Sequence, residues 1–306
     1  MKKLNEEKIL LGPSIFASID NAPMQFLKDT GCEIIENPYK RRLTKEELLD
    51  LLGNGVTGLI AGLEPLDAEV LKISKLKVIS RCGVGMSNVD QIEAKKLGIK
   101  VFFTSDAPTA AVAELTIGAM LSLLRLIPEM NKHIHEGNWE KRVGFQLGER
   151  AVAIIGFGRI GQQVAFLLTP FGCRILAVDP FLKSVSKTVQ LVSLENALRS
   201  ADIITLHCSG EDCVIGESEF KLMKRGTFLL NAARGGLINE AALQKALDDG
   251  VVAGAWLDVF QEEPYKGPMC EYKNVLLTPH VGSYTRECRR RMEMEAVKNL
   301  LAGLQE

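Results

Sequence analysis

The feature that most constrains this 306-residue chain is the run Ala151-Val-Ala-Ile-Ile-Gly156-Phe-Gly158-Arg-Ile-Gly161, an apolar strand turning through G-x-G-x-x-G into a helix. Gly156 permits the tight turn and Gly158 lets the backbone approach a pyrophosphate. Gly161 lets the helix pack close to the sheet, and the helix N-terminus offers free N–H groups to an anion. The next predicted strand, 174–178, runs into Asp179, about twenty residues beyond the turn. An acid there accepts hydrogen bonds from the adenosine ribose hydroxyls and repels the 2′-phosphate of NADP. Two unit charges ~4 Å apart at an effective dielectric of ~20 interact by about 4 kcal/mol. The expected cofactor is NAD.

Around this motif the pattern alternates between short apolar runs and amphipathic ones. The first hundred residues predict strands at 9–12, 32–36, 58–61, 77–80 and 100–103, separated by helices near 24–30, 44–52, 67–74 and 88–97. Thr44 with Glu47 reads as a capping box, and Asp67 as the next cap. After residue 150 the alternation resumes, with six strands at 151–155, 174–178, 203–207, 227–231, 252–256 and 275–277. Helices are predicted near 159–171, 194–200, 218–223 and 240–249, and the tail from Tyr284 is helical and charged. Between the two halves, a single long apolar helix over 109–136, stopped at Gly137-Asn138, suits burial between domains or subunits. The expected class is α/β, with two doubly wound parallel-sheet domains of which the second is a Rossmann domain.

Three further segments carry residues fit for chemistry, each just beyond the carboxyl end of a predicted strand: Asn231-Ala-Ala-Arg234-Gly-Gly, Leu257-Asp258-Val-Phe-Gln-Glu-Glu263-Pro264 and Leu277-Thr-Pro-His280-Val-Gly282. Hydride transfer to a 2-keto acid needs an anchor for the carboxylate and carbonyl, a proton donor for the developing alkoxide, and a partner that sets the donor's charge. Arginine's planar fork suits the first task, and histidine's near-neutral pKa the second. A carboxylate beside the histidine suits the third. Arg234, His280 and Glu263 are the candidates.

Net charge is −1, with 46% hydrophobic and 25% charged residues, which favours neither nucleic acid nor membrane as a partner. The clusters at 40–42 and 289–291 read as solvated faces. Seven cysteines, odd in number and without a C-x-x-C pair, argue against a disulfide framework and a zinc site and suit a reducing cytoplasm. No signal peptide is expected, and the most apolar run, 115–127, is too short to span a bilayer. His133 and His135, two apart on a helix, point to different faces and predict no metal site.

The chain resembles the D-isomer-specific 2-hydroxyacid dehydrogenase family, which includes phosphoglycerate dehydrogenases. The matching segments are Ile79-Ser-Arg-Cys-Gly83-Val-Gly85 with Asn88-Val-Asp90, then Val112-Ala-Glu114-Leu-Thr and the Gly156–Gly161 turn. Leu222-Met-Lys, 231–236, 253–264 and 278–282 follow. The resemblance implies that Arg234, Glu263 and His280 form the catalytic set, and that the backbone of Cys82, Gly83 and Val84 binds the substrate carboxylate together with Arg234 and His280. It implies cofactor contacts from Gly156, Gly158, Arg159, Ile160, Gly161, Asp179, His207, Cys208, Ala233, Asp258 and Gly282, with Asp258 meeting the nicotinamide carboxamide. It also implies a discontinuous flavodoxin-like substrate domain (1–103 plus 283–306), an inserted NAD-binding domain (104–282) and a homodimer.

The chain departs from the family pattern at Cys208-Ser209-Gly210, at Met86-Ser87 and at Pro108. The loop Gly62-Leu63-Glu64-Pro65 carries no Arg or Lys of the kind that relatives specific for 3-phosphoglycerate use for the phosphate. Two function classes are carried forward: a D-2-hydroxyacid dehydrogenase acting on a small 2-hydroxy or 2-keto acid, and an NADH-sensing binding protein or corepressor on the same fold. Turnover of a keto acid with NADH separates them.

Overall fold

A computed structural model describes residues 4–210 and 212–305. The chain divides into two compact units, one made of the residues up to Pro108 and from Ser283 onward, the other spanning Thr109–Gly282.

In the first unit β1 (Lys8–Leu11), α1 (Ala22–Lys28), β2 (Glu33–Glu36), α2 (Lys45–Leu52), β3 (Gly58–Ala61), α3 (Ala68–Ile73), β4 (Val78–Arg81), α4 (Gln91–Lys96) and β5 (Lys100–Phe103) alternate. The strands form one parallel sheet in the order β2-β1-β3-β4-β5, the flavodoxin-like arrangement. β3 and β4 are buried at every position, as parallel strands covered on both faces must be. Leu48, Leu52, Val70, Leu71 and Ala94 from α2, α3 and α4 pack on Leu10, Leu59 and Ile79. Thr44 and Glu47 form the capping box at α2, and Asp67 accepts from the N–H groups of Glu69 and Val70 at α3.

The unit's other face is closed from the far end of the sequence. Its C-terminal helix (Arg286–Gln305) buries Cys288, Met292, Ala296, Val297, Leu300 and Leu301, with Gly303 lying against Val78 and Phe102.

The second unit opens with α5 (Pro108–Leu124, of which Pro108 falls in the first unit) and α6 (Ile127–His135). The single helix expected over 109–136 is broken. Leu126 sits at φ +53° and the two helices are bent by 64°. Pro128 explains the break: without an N–H it cannot continue the α5 ladder, yet it is well placed in the first turn of a new helix. No single helix among the described residues is long and apolar enough to cross a membrane.

Then come β6 (Ala151–Ile155), α7 (Arg159–Leu168), β7 (Arg174–Val178), β8 (Val189–Leu191), α8 (Leu194–Ser200), β9 (Ile203–Leu206), α9 (Glu217–Phe220), β10 (Thr227–Asn231), α10 (Glu240–Asp248), β11 (Val252–Leu257) and β12 (Val275–Leu277), after which the first unit's C-terminal helix becomes α11. The sheet is parallel in the order β12-β11-β10-β9-β6-β7-β8. It has seven strands where six were expected. The additional one, β8, is a three-residue edge strand, Val189-Gln-Leu191, whose central glutamine breaks the apolar run. α5 and α7 cover one face over Val152, Ile154, Leu230 and Trp256. Residues of α8, α9 and α10 cover the other over Ala153, Ile204 and Leu229.

Candidate active site

The dinucleotide turn joins β6 to α7. Gly156 lies at φ +89°, and a Cβ there would collide with the backbone of His207 and Cys208 as it leaves β9. A side chain is excluded by both conformation and space. A Cβ on Gly161 would strike the Gly156 carbonyl, so α7 seats directly on the turn, whereas the Cβ direction of Gly158 opens into free space.

Asp179, just past β7, accepts the Phe157 N–H on Oδ2 and the Phe181 N–H on Oδ1, both at 3.0 Å. Each oxygen retains a second acceptor position for a ribose hydroxyl. His207 pairs its Nε2 with Thr205 Oγ1 at 2.9 Å. Its buried Nδ1 has no partner among the described residues, and desolvation pushes its pKa down to about 4, so the ring is neutral. Cys208 is half-buried, and burial raises its thiol pKa. The open cradle at Gly158, the N-terminus of α7 with Arg159 and Ile160, and the Asp179 acceptors fit a dinucleotide.

The three chemistry-bearing segments belong to adjacent strands of this sheet. Asn231, 1% exposed at the end of β10, accepts the Ala233 N–H at 3.0 Å and donates to the Arg234 carbonyl at 2.8 Å. These two bonds turn the chain from β10 into the half-buried Arg234, whose Nη1 donates to the Ala233 carbonyl at 2.6 Å.

Beyond β11 and β12, Glu263 Oε2 lies 2.9 Å from His280 Nδ1. Glu263 Oε1 accepts the Phe260 N–H at 3.2 Å. The His280 side chain is 42% exposed, and its φ of +53° costs a non-glycine residue about 1 kcal/mol. What holds it there is Asp258, 1% exposed. Its Oδ1 accepts from Thr278 Oγ1 (2.6 Å) and the Val281 N–H (2.9 Å), and its Oδ2 from the Gly282 N–H (2.8 Å). Trp256 Nε1 braces Thr278 at 2.9 Å.

The sequence reading singled out Asp258 for a cofactor contact and missed this bracing of the His280 loop. Thr278, in the same short motif, was the available signal. Oδ1 has both acceptor positions filled, and Oδ2 retains one.

In the first unit, Cys82 is buried, its N–H donates to the Ala61 carbonyl at 2.9 Å, and its carbonyl accepts from Arg81. Burial drives its thiol pKa to about 12, which makes it a packing residue. The Gly83 N–H donates to the Arg81 carbonyl at 3.0 Å, so of the three residues in this loop Val84, 40% exposed, is the accessible one. Glu64, 1% exposed, accepts the Gly62 N–H on both oxygens, and burial raises its pKa.

A parallel seven-stranded sheet with a glycine turn at its first strand and an acid at the end of its second defines a dinucleotide-binding α/β protein. Residues 117–282 match the D-isomer specific 2-hydroxyacid dehydrogenase, NAD binding domain. The D-3-phosphoglycerate dehydrogenase of Methanocaldococcus jannaschii is 39% identical over 285 residues, 89% of this chain and 54% of that protein. The hydroxypyruvate reductase of Thermotoga maritima is 35% identical over 272 residues, 86% of this chain and 89% of that one. The crystal structure of the TT0316 protein from Thermus thermophilus superposes with a TM-score of 0.89 at 34% identity, covering 97% of each chain. The chain belongs to the D-isomer specific 2-hydroxyacid dehydrogenase family and carries its NAD-binding domain. It spans about half the length of the phosphoglycerate dehydrogenases it matches.

Proposed function

We propose that the chain is an NAD-dependent oxidoreductase interconverting a small D-2-hydroxy acid and its 2-keto acid, with His280 as acid and base, Glu263 as its partner and Arg234 as anchor. The observation that carries this reading is the 2.9 Å contact between His280 Nδ1 and Glu263 Oε2, held by the Asp258 brace in the same sheet as the dinucleotide turn.

In the reducing direction, bound NADH supplies the hydride that reaches the keto carbon. The guanidinium of Arg234 takes the substrate carboxylate and carbonyl oxygen, and its hydrogen bonds strengthen as that oxygen becomes an alkoxide. With Nδ1 turned to Glu263, Nε2 is the ring nitrogen left to move a proton. In the imidazolium form it protonates the alkoxide, and solvent restores the proton. In the oxidising direction the neutral Nε2 accepts the hydroxyl proton.

Two coarser assignments accompany this reading. We take the chain to act as a homodimer, supported by the exposed apolar residues Ile127, Ile134, Trp139 and Val143 on and after α6. We place it in the cytoplasm, whose reducing conditions suit seven free thiols.

The test is NADH oxidation, followed by absorbance, against glyoxylate, hydroxypyruvate, pyruvate, 2-ketoglutarate, branched keto acids and 3-phosphohydroxypyruvate. Clear turnover of one member is expected. Tight NADH binding with no turnover across the panel would replace this reading with an NADH-sensing binding protein.

A further inference from the structure

The loop that follows β11 carries Glu263 but has no regular structure of its own until the short turn at Pro268–Glu271. Something must hold it, because a carboxylate displaced by about 1 Å loses its hold on an imidazole. Glu263 accepts from the Phe260 N–H within this loop and meets His280 Nδ1 in the His280 turn.

Another side chain reaches further. The ring of Tyr265 stacks on Phe260 with centroids 4.2 Å apart and planes inclined by 20°. Its hydroxyl donates to Glu240 Oε2 at 3.2 Å and accepts the Met269 N–H at 3.3 Å. The ring also lies against Gly267, where a Cβ would collide with it. Glu240 is the first residue of α10, a few residues beyond the Arg234 turn. In the same place the Phe260 backbone passes so close to Gly235 that a Cβ there would strike it. Tyr265 therefore bonds at once to the segment that follows Arg234 and to both ends of the Glu263 loop.

We propose that Tyr265 is a positioning residue that sets the placement of Glu263 against His280 and relative to the Arg234 turn. It touches neither substrate nor reacting atoms. This rests on the roles given to Glu263 and His280 above, and the test separates its failure from theirs.

The test reads the His280 ring C–H chemical shifts by NMR at one fixed pH; the chain has only four histidines, and His280→Gln provides the assignment. Tyr265→Leu, which loses both the stack and the hydroxyl, is expected to move the His280 signals as Glu263 drifts. It should also lower kcat about tenfold or more while NADH binding stays within about twofold. Tyr265→Phe keeps the stack and should move the signals in the same direction by less. Glu240→Gln, which retains an acceptor oxygen, should give the parent spectrum. His280 signals unchanged in both Tyr265 variants would overturn the proposal, even if their melting temperatures fall. If Tyr265→Leu does not fold, an unchanged Tyr265→Phe spectrum overturns it alone. A parent protein inert towards every keto acid would count against the catalytic reading and leave the spectra to decide the positioning.

Discussion

Two glutamates in this molecule sit in loops after parallel strands, and they do opposite things. Glu64, beyond β3, is almost completely buried, bonds the backbone N–H of Gly62, and has its pKa raised by desolvation. Glu263, beyond β11, keeps 30% of its side chain exposed and directs one oxygen at an imidazole. The first shapes a turn, and the second has a titratable partner to act on. What separates them is the partner each loop brings, since the residue type and the position relative to the sheet are shared. A backbone amide can only be held by a carboxylate, whereas an imidazole can be held in one tautomer and charged.

The most severe way to break this comparison is to remove the partner. His280→Ala should lower kcat by about 100-fold to 10,000-fold, the usual weight of a general acid, while NADH binding, followed by fluorescence titration, persists. A near-normal rate would reduce Glu263 to the status of Glu64, another loop-shaping acid.

A smaller effect is expected at Asp179, an acid that also bonds two backbone N–H groups but has capacity to spare. Asp179→Ser should raise the apparent Kd for NADH and weaken discrimination against NADPH by about tenfold or more, part of the ~4 kcal/mol that unscreened repulsion would supply. Unchanged discrimination would place Asp179 with Glu64 on the structural side.

The smallest effect is predicted for Glu64 itself. Its folded-state pKa lies above that of the unfolded chain, so its contribution to stability is complete at low pH and is lost as pH rises through the folded value. Glu64→Gln should therefore show a weaker fall in Tm than the parent as pH rises above the ordinary carboxylate range, with kcat unaltered. Loss of activity at unchanged Tm would sharpen the comparison in the other direction, giving Glu64 a part in the chemistry.

Much of this was legible from residue order. The Gly156–Gly161 turn could be read because a buried parallel strand, a positive φ and a close approach leave only glycine. Strands such as β3, β6, β10 and β12 could be read because near-continuous apolar runs bounded by polar turns have few alternatives. The break at Leu126 escaped notice because the apolar pattern continues past it, and Pro128 fits a second helix as well as it ends the first. β8 escaped because a glutamine interrupts its three residues, whereas the equally short edge strand β12 is an unbroken Val-Leu-Leu.

By itself the sequence determined the class of fold, the nucleotide turn and the identity of the Arg234, Glu263 and His280 candidates, since these rest on local rules of period, turn and residue chemistry. Only the tertiary structure decided that Asp258 braces the His280 loop, that Tyr265 ties the Glu263 loop to α10, and that the N–H groups of Cys82 and Gly83 are engaged. Those depend on hydrogen bonds between segments brought together by neighbouring strands, and no local pattern records which donor a given acceptor will meet.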